Sequence, residues 1–336
     1  MRLAWANVRV SAARTAMVAV PVIVLASGCT AGGSGAAMGS GSFTVGVVPG
    51  IESAPLSVAS EEGLFQQHGL DVTIKKYSSL SLEYQALASD QIQIAVGDYT
   101  DFFYEQATAH VSLRLIADGY DAAPNSMEIL TLPHSTITTA QQLDAAGDVA
   151  TPPSALPANQ TASTSNSGQP YNIETLAADE VLQDDGVSTS TVTWEAMPEQ
   201  NMISELRNHQ VSAILATEPY ILEAEEQLGA VEVADVTSGV TSGLPMAGYF
   251  SLASYASANP VNVQAFQAAL DQAQSDCAQR GPVQAVLPGL TDISNDAAAL
   301  VTLGTYPTSL NVGQVQRVAA LMYDAGMTSS EVIVNS

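Results

Sequence analysis

Short runs with the two-residue period of β-strands alternate with helical runs along most of this chain, and this alternation constrains the fold most. In the first part, strand patterns are predicted at residues 43–48, 70–77, 92–96 and 113–115. Helical patterns come between them at residues 54–62, 81–89 and 101–109. Strands and helices in alternation predict a mainly parallel sheet covered by helices, which is an α/β fold.

The alternation restarts in the second part of the chain. Strands are predicted at residues 127–132, 191–194, 211–216, 231–236 and 248–252. Helices are predicted at residues 139–146, 172–185, 199–208, 218–228, 261–279, 296–303 and 312–325. Residues 151–170 consist mostly of Pro, Ser, Thr, Asn and Ala, and no regular element is predicted there. Loops of that length are usually functional or mobile.

The first 28 residues have the layout of a secretory signal peptide. Three arginines and no acid precede an apolar run at residues 16–26, which is shorter than the about 20 residues of a membrane-spanning helix. The run ends in the sequence ASGC, which resembles the bacterial lipobox and implies lipidation of Cys29. Residues 29–42 are small and polar, so a flexible tether is expected after that cysteine. The alternative is an ordinary signal peptide with an incidental cysteine.

Charge excludes one class of partner. Without the three arginines of the predicted signal, 34 acids stand against six bases, a formal net charge of −28. Because nucleic-acid binding depends on Lys and Arg, nucleic acid is not expected as a partner. The charge is consistent with solubility outside the cell.

The cysteines and histidines give no pattern for a metal or other cofactor. Once Cys29 is lipidated, Cys277 is the remaining thiol, so neither an internal disulfide nor a cysteine metal cluster is expected. Cys277 continues a helical face and is predicted to be a core residue, with Val263, Phe266, Leu270 and Ala273. The four histidines lack metal-ligand spacing.

Five segments resemble the nitrate/sulfonate/taurine family of substrate-binding proteins for ABC transporters. Residues 54–72 (APLSVASEEGLFQQHGLDV) and 87–98 (LASDQIQIAVGD) carry the closest likeness. Residues 118–143, 211–220 (VSAILATEPY) and 316–323 follow in the same order as in that family. The likeness extends over most of residues 43–330.

The resemblance implies a type II periplasmic-binding-protein fold, with two doubly wound lobes joined by two hinge crossovers. The crossovers are predicted near residues 117–118 and 246–248. Lobe 1 is then residues 43–117 plus 247–336, and lobe 2 is residues 118–246. A ligand is expected in the cleft, and lobe closure around it is a hinge motion. Residues 151–170 depart from the family's pattern, so the ligand contacts of lobe 2 stay open.

The candidate ligand site also follows from the order of strands and helices. In parallel α/β sheets, ligands bind beyond the carboxyl ends of the strands, where helix N-termini present free N–H groups. The candidate residues are Glu52, Ser53, Ser78, Ser79, Asp98, Tyr99, Met197, Glu218 and Tyr220.

Each type of candidate residue also has a purely structural interpretation. An acid such as Asp98 or Glu218 is stabilised at a helix N-terminus without any ligand. The serines are suited to capping helices, and the tyrosines to partial burial in the core. Trp194 is predicted to lie in the lobe 2 core.

We therefore predict an extracytoplasmic lipoprotein, monomeric and without catalytic residues, that delivers a small molecule to a permease and an ATPase. The ligand classes considered are a sulfonate, a nitrate-like anion and a small heterocycle such as a pyrimidine. Cleft acids disfavour a dianion. The alternatives are a ligand-sensing lipoprotein and an enzyme of the same fold that acts in pyrimidine synthesis.

Overall fold

A computed structural model describes residues 41–109, 111–145, 148–153 and 172–336. The predicted signal peptide, Cys29 and all but three residues of the 151–170 segment lie outside the described residues. The described strands are β1 (Ser42–Val47), β2 (Asp71–Lys76), β3 (Ala95–Asp98), β4 (Leu113–Asp121), β5 (Met127–Thr131), β6 (Asp148–Thr151), β7 (Thr193–Ala196), β8 (Ala213–Thr217), β9 (Val231–Asp235) and β10 (Pro245–Leu252).

Helices connect most of these strands. The described α-helices are α1 (Ala54–Glu61), α2 (Leu64–Gln67), α3 (Leu80–Ala88), α4 (Tyr99–Thr108), α5 (Ile173–Asp184), α6 (Glu199–Arg207), α7 (Tyr220–Leu228), α8 (Ala253–Ala258), α9 (Pro260–Cys277), α10 (Arg280–Thr291), α11 (Asn295–Ala298) and α12 (Val312–Asp324). Short 3₁₀ helices occur at Ile51–Ser53, Ala140–Ala145, Thr189–Thr191 and Gly239–Thr241. Within the described residues, no helix combines the length and apolar character needed to cross a membrane.

A two-stranded sheet, β1-β2, lies beside a three-stranded sheet of order β3-β10-β4, and the two are together called the first sheet. β1 pairs with β2 in parallel, and the Gly46 N–H donates to the Ile94 carbonyl at 2.8 Å, which joins β1 to the start of β3. β10 is antiparallel to both β3 and β4. The predicted α/β fold is therefore confirmed, with β10 as a reversed strand inside a parallel arrangement.

The second sheet repeats this pattern, with the order β7-β6-β8-β5-β9. β6 is parallel to β7 and β8, whereas β5 is antiparallel to β8 and β9. β5 is the first strand after the chain leaves the first sheet, and β10 is the first after it returns. In each sheet the reversed strand is thus the one that enters from the other sheet.

The two passages between the sheets lie side by side. Ala117 of β4 pairs with Tyr249 of β10, and Asp118 pairs with Gly248. The predicted crossover positions fall within these paired strands. The division into lobes at those positions stays a prediction.

Several predicted elements need correction. The helix predicted at residues 139–146 is the 3₁₀ helix Ala140–Ala145. The helix predicted at residues 296–303 ends at Ala298, and the Thr302 N–H donates to the Glu218 carboxylate instead of continuing a helical ladder. Strand β6 was not predicted, because four residues beside a long polar segment carry too little periodicity.

The predicted helical face that ends at Cys277 is confirmed as core. Val263, Phe266, Leu270, Ala273 and Cys277 are all buried on α9. The Phe266 ring stacks on Phe65 with a centroid separation of 5.4 Å, and its edge contacts Phe43 and Tyr249. This cluster holds α9 against the helices and strands of the first sheet. Trp194, predicted as core, is also buried.

Candidate functional site

A cavity of about 760 Å³ lies where the carboxyl ends of strands from both sheets meet. The first sheet contributes residues just after β1 and β2 and at the end of β3. The second sheet contributes residues just after β6 and β7 and at the end of β8. Its described lining residues are Val48, Pro49, Gly50, Ile51, Glu52, Ser78, Ser79, Leu80, Gly97, Asp98, Asp101, Pro152, Pro153, Asn172, Glu174, Pro198, Glu199, Gln200, Thr217, Glu218, Pro219, Tyr220, Leu290, Thr291 and Asp292.

A smaller cavity of about 80 Å³ shares part of this lining. Glu52, Asp98 and Glu174 line both spaces. Tyr120 and Met246 line only the smaller one, next to the strands that pass between the sheets. Strand ends from two sheets around one shared cleft are the arrangement in which α/β proteins bind small ligands.

Six of the nine predicted site residues line the main cavity. They are Glu52, Ser78, Ser79, Asp98, Glu218 and Tyr220. The Ser79 hydroxyl also accepts a hydrogen bond from the Leu82 N–H as the N-cap of α3. Their role in binding a ligand stays a prediction.

The remaining three, Ser53, Tyr99 and Met197, lie outside the described lining. Ser53 is buried, and its hydroxyl donates to the Gly50 carbonyl at 2.7 Å, which closes the turn after β1. The Met197 side chain packs at the edge of a core cluster beneath α6 and α7. The Ser53 side chain is thus engaged in this turn, and the role of the half-buried Met197 in ligand binding stays a prediction.

Tyr99 follows Asp98 in sequence and begins α4, but its side chain is fully buried in the core and does not line the cavity. Its hydroxyl donates to Asp118 Oδ1 at 2.7 Å, and its ring contacts Phe103 and Phe250. A Cβ atom on Gly248 would lie 2.7 Å from the Tyr99 hydroxyl, so only glycine allows this close approach of β10. Tyr99 therefore supports the strands that connect the sheets.

Glu218 is held by two backbone groups. Its Oε1 accepts from the Thr302 N–H at 2.7 Å, and its Oε2 accepts from the Leu222 N–H at 3.2 Å. The second contact is the first-turn interaction expected of an acid at a helix N-terminus. The first ties the end of β8 to the segment after α11, so Glu218 has a structural role whether or not a ligand is bound.

Asp101, Glu174 and Glu199 line the cavity but were not predicted. Glu174 is in the first turn of α5, and Glu199 is in the first turn of α6, shortly after the end of β7. Extending the strand-end argument by one residue past Pro198 would have found Glu199. Glu174 is separated from β6 by residues 152–173, so its position depends on tertiary contacts.

Asn172 fixes the start of α5 at the cavity. Its Oδ1 accepts from the Thr175 N–H at 2.7 Å, and its Nδ2 donates to the Pro152 carbonyl at 2.6 Å. The buried Asn172 side chain therefore joins the end of β6 to the first turn of α5. This contact places Glu174 in the cavity wall.

The carboxyl groups in the wall hold their protons more tightly than ordinary acids. Burial, followed by repulsion from Asp98, raises the pKa of Glu52 to about 8. Burial raises the pKa of Asp98 and that of Glu199 to about 7. The pKa of Glu174 lies well above its usual range, first through burial and then through Asp98. Each group is poorly solvated and has acidic neighbours.

Glu83 lies behind this wall with a fully buried side chain. Its Oε1 accepts from the Val96 N–H at 2.7 Å, and hydrogen bonding to the Val96 and Val48 backbone partly offsets the effect of burial on its pKa. Burial raises the pKa of Glu83 to about 8, and repulsion from Glu52 and Asp98 adds to the effect. At neutral pH the group is therefore mostly protonated.

Comparison with known proteins gives a family and several solved structures. The NMT1-like family model matches residues 36–286. No curated protein sequence matches the chain. The aliphatic sulphonate binding protein SsuA of Escherichia coli is similar in structure, with a TM-score of 0.70 at 17% identity, covering 87% of this chain and 95% of SsuA.

Two further solved structures show the same fold. The alkanesulfonate-binding protein SsuA of Xanthomonas axonopodis pv. citri, bound to MOPS, has a TM-score of 0.66 at 18% identity, covering 89% of this chain and 98% of its own. The nitrate-binding protein NrtA of Synechocystis PCC 6803 has a TM-score of 0.67 at 13% identity, covering 87% of this chain and 83% of NrtA. The predicted periplasmic-binding-protein fold is thereby confirmed.

Proposed function

The chain belongs to the NMT1-like family, and from this premise we propose that it is an extracytoplasmic solute-binding protein of an ABC importer. The observation that carries the proposal is the 760 Å³ cavity between the carboxyl ends of two sheets. The similar structures named above are those of binding proteins, which supports a binding role. We assign residues 43–117 and 247–336 to one lobe and residues 118–246 to the other.

The lining of the cavity bears on the class of ligand. The wall offers neutral hydrogen-bond donors such as Ser78 and Ser79, but no lysine, arginine or histidine is among its described residues, so an anion would find no opposite charge there. Carboxyl groups there would repel an anion unless they keep their protons. Among the ligand classes predicted from the sequence, a small heterocycle fits this wall better than either anion.

The test is a binding screen with the purified full-length protein in detergent. Sulfonates, nitrate, amino-sulfonates and pyrimidines are added during thermal unfolding. A true ligand at 100 times its Kd stabilises the native state by about 2.7 kcal/mol and raises the melting temperature.

Two tyrosine variants connect the binding signal to the cavity. Tyr220→Ala removes an aromatic side chain from the wall and should weaken binding, whereas Tyr323→Ala changes an exposed tyrosine outside the described lining and should not. Equal binding by both variants would contradict a site in this cavity.

We propose that the protein is held on the outer face of the membrane by a lipid on Cys29, and that it acts as a monomer with a permease and an ATPase. The support is the ASGC sequence after an apolar run. Cys29→Ala should move the protein from the membrane fraction to the soluble fraction in cell fractionation. Retention of the variant in the membrane fraction would contradict the anchor.

A further inference from the structure

Carboxyl groups face the cavity from both sheets. Glu52 and Asp98 come from the first sheet, and Glu174 and Glu199 from the second. Arg280 partly offsets the effect of burial on the pKa of Glu218, another acid of the wall, and its guanidinium group donates to the Ala298 and Val301 carbonyls. The sequence between Pro153 and Asn172 contains no Lys, Arg or His either.

The acids in the wall influence one another. Asp98 raises the pKa of Glu52, Glu174 and Glu199, so one carboxyl group acts on partners from both sheets. Glu83, directly behind, adds a fully buried carboxyl group whose pKa is raised further by Glu52 and Asp98. Burying this many acids together is unfavourable unless positive charge is supplied. The described residues that line the cavity include no Lys, Arg or His side chain that could supply this positive charge.

Resting on the solute-binding function proposed above, we propose that the ligand is an organic cation, an amine or guanidinium compound, held between Glu52 and Asp98 on one side and Glu174 and Glu199 on the other. Tyr220 lines the same cavity and offers an aromatic face for a cation–π contact. A ligand with this charge bridges the two sheets and removes the repulsion between their acids. Its binding thereby favours closure of the cleft.

A bare metal ion fits this wall less well than an organic cation. Among the described residues, no group of three or more His, Cys, Asp or Glu side chains is arranged to hold a metal. The carboxyl groups are instead distributed around a space of about 760 Å³. Separate acids around a large space suit a molecule with separated N–H donors or an extended positive charge.

The proposal predicts a direction for the pH dependence of binding. Only ionised carboxylates attract a cation, and burial raises the pKa of Glu52 to about 8 and that of Asp98 and Glu199 to about 7. Cation affinity should therefore increase between pH 6 and pH 8.5, with release of protons on binding. The side chains with ionisable groups that line the two cavities are Glu52, Asp98, Asp101, Tyr120, Glu174, Glu199, Glu218, Tyr220 and Asp292, and Glu83 lies behind them.

The experiment is isothermal titration of the full-length protein with spermidine, agmatine and choline at pH 6 and pH 8.5. Taurine, nitrate, a pyrimidine and MgCl₂ are the comparison arms. We expect one of the three cations to bind, at least tenfold more tightly at pH 8.5. Asp98→Asn should weaken that binding at least tenfold, whereas Glu226→Gln, an exposed acid on α7, should leave it unchanged.

The outcomes separate this inference from the function on which it rests. If taurine, nitrate or the pyrimidine binds and the three cations do not, the cation inference is wrong and the solute-binding function stands. If none of the cations binds, or if Asp98→Asn binds them as tightly as the wild type, the inference is overturned. Thermal unfolding of Asp98→Asn checks folding, and we expect a melting temperature equal to or above that of the wild type, because one repulsive charge is gone.

Discussion

The buried Glu83 should make the protein less stable as the pH rises, and Glu83→Gln should remove the contribution of this residue to that dependence. In the folded state burial raises the pKa of Glu83 from 4.5 to about 8. Above pH 4.5 the unfolded chain loses this proton while the native protein keeps it, so native stability falls until about pH 8 and then levels off. A difference of about 3.5 pKa units at 1.36 kcal/mol each corresponds to at most about 5 kcal/mol.

Glutamine preserves the geometry around Glu83. Its Oε1 still accepts from the Val96 N–H, and its amide takes the place of the protonated oxygen. The assay is urea unfolding of the wild type and of Glu83→Gln at pH 4.5 and pH 8. The variant should gain stability relative to the wild type on going to pH 8, by several kcal/mol. If the two proteins keep a constant difference in unfolding free energy across this range, the raised pKa is refuted. Glu226→Gln serves as the control at an exposed site.

Three substitutions probe the packing that positions the site. Phe266→Ala removes a fully buried ring that contacts three other aromatic rings, and should lower the unfolding free energy by about 3–5 kcal/mol. Asn172→Ala removes the bonds that join β6 to α5, and should cost about 1–2 kcal/mol and weaken ligand binding. Gly248→Ala places a Cβ atom 2.7 Å from the Tyr99 hydroxyl, and should cost about 1–3 kcal/mol. Chemical denaturation measures all three.

Three control variants test whether the protein is destabilised by substitutions in general. Tyr323→Ala and Asn201→Ala change exposed residues and should stay within about 0.5 kcal/mol of the wild type. Gly281→Ala adds a Cβ atom with no other atom within 4 Å, and should be neutral or slightly stabilising. A Gly248→Ala variant as stable as Gly281→Ala would show that β10 does not need its close approach to Tyr99.

The α/β architecture was predictable from the sequence because the pattern that identifies each strand or helix lies within that segment itself. Alternating apolar residues predict strands such as β1 and β3, and the strand-end rule predicts that Glu52, Asp98 and Tyr220 lie near one cleft. Neither inference needs knowledge of distant contacts. The reversed direction of β5 and β10 depends instead on pairing between distant segments, which periodicity does not contain.

The side-chain directions at the site were only partly predictable for the same reason. Asp98 and Tyr99 are neighbours in sequence, yet one lines the cavity and the other is buried against Asp118. Glu174 reaches the wall because Asn172 anchors its helix to Pro152, about 20 residues earlier in the chain. Contacts of this kind follow from packing, so a rule based on position after a strand identifies the region but not every residue.

The adjacent pairing of β4 with β10 bears on how such a molecule moves. Because Ala117 and Asp118 are paired with Tyr249 and Gly248, the outgoing and returning strands form one ribbon. Rotation of one sheet relative to the other therefore has to bend both strands together. A mutation that stiffens it should slow opening and closing together, with little change in the surfaces that meet in the closed state.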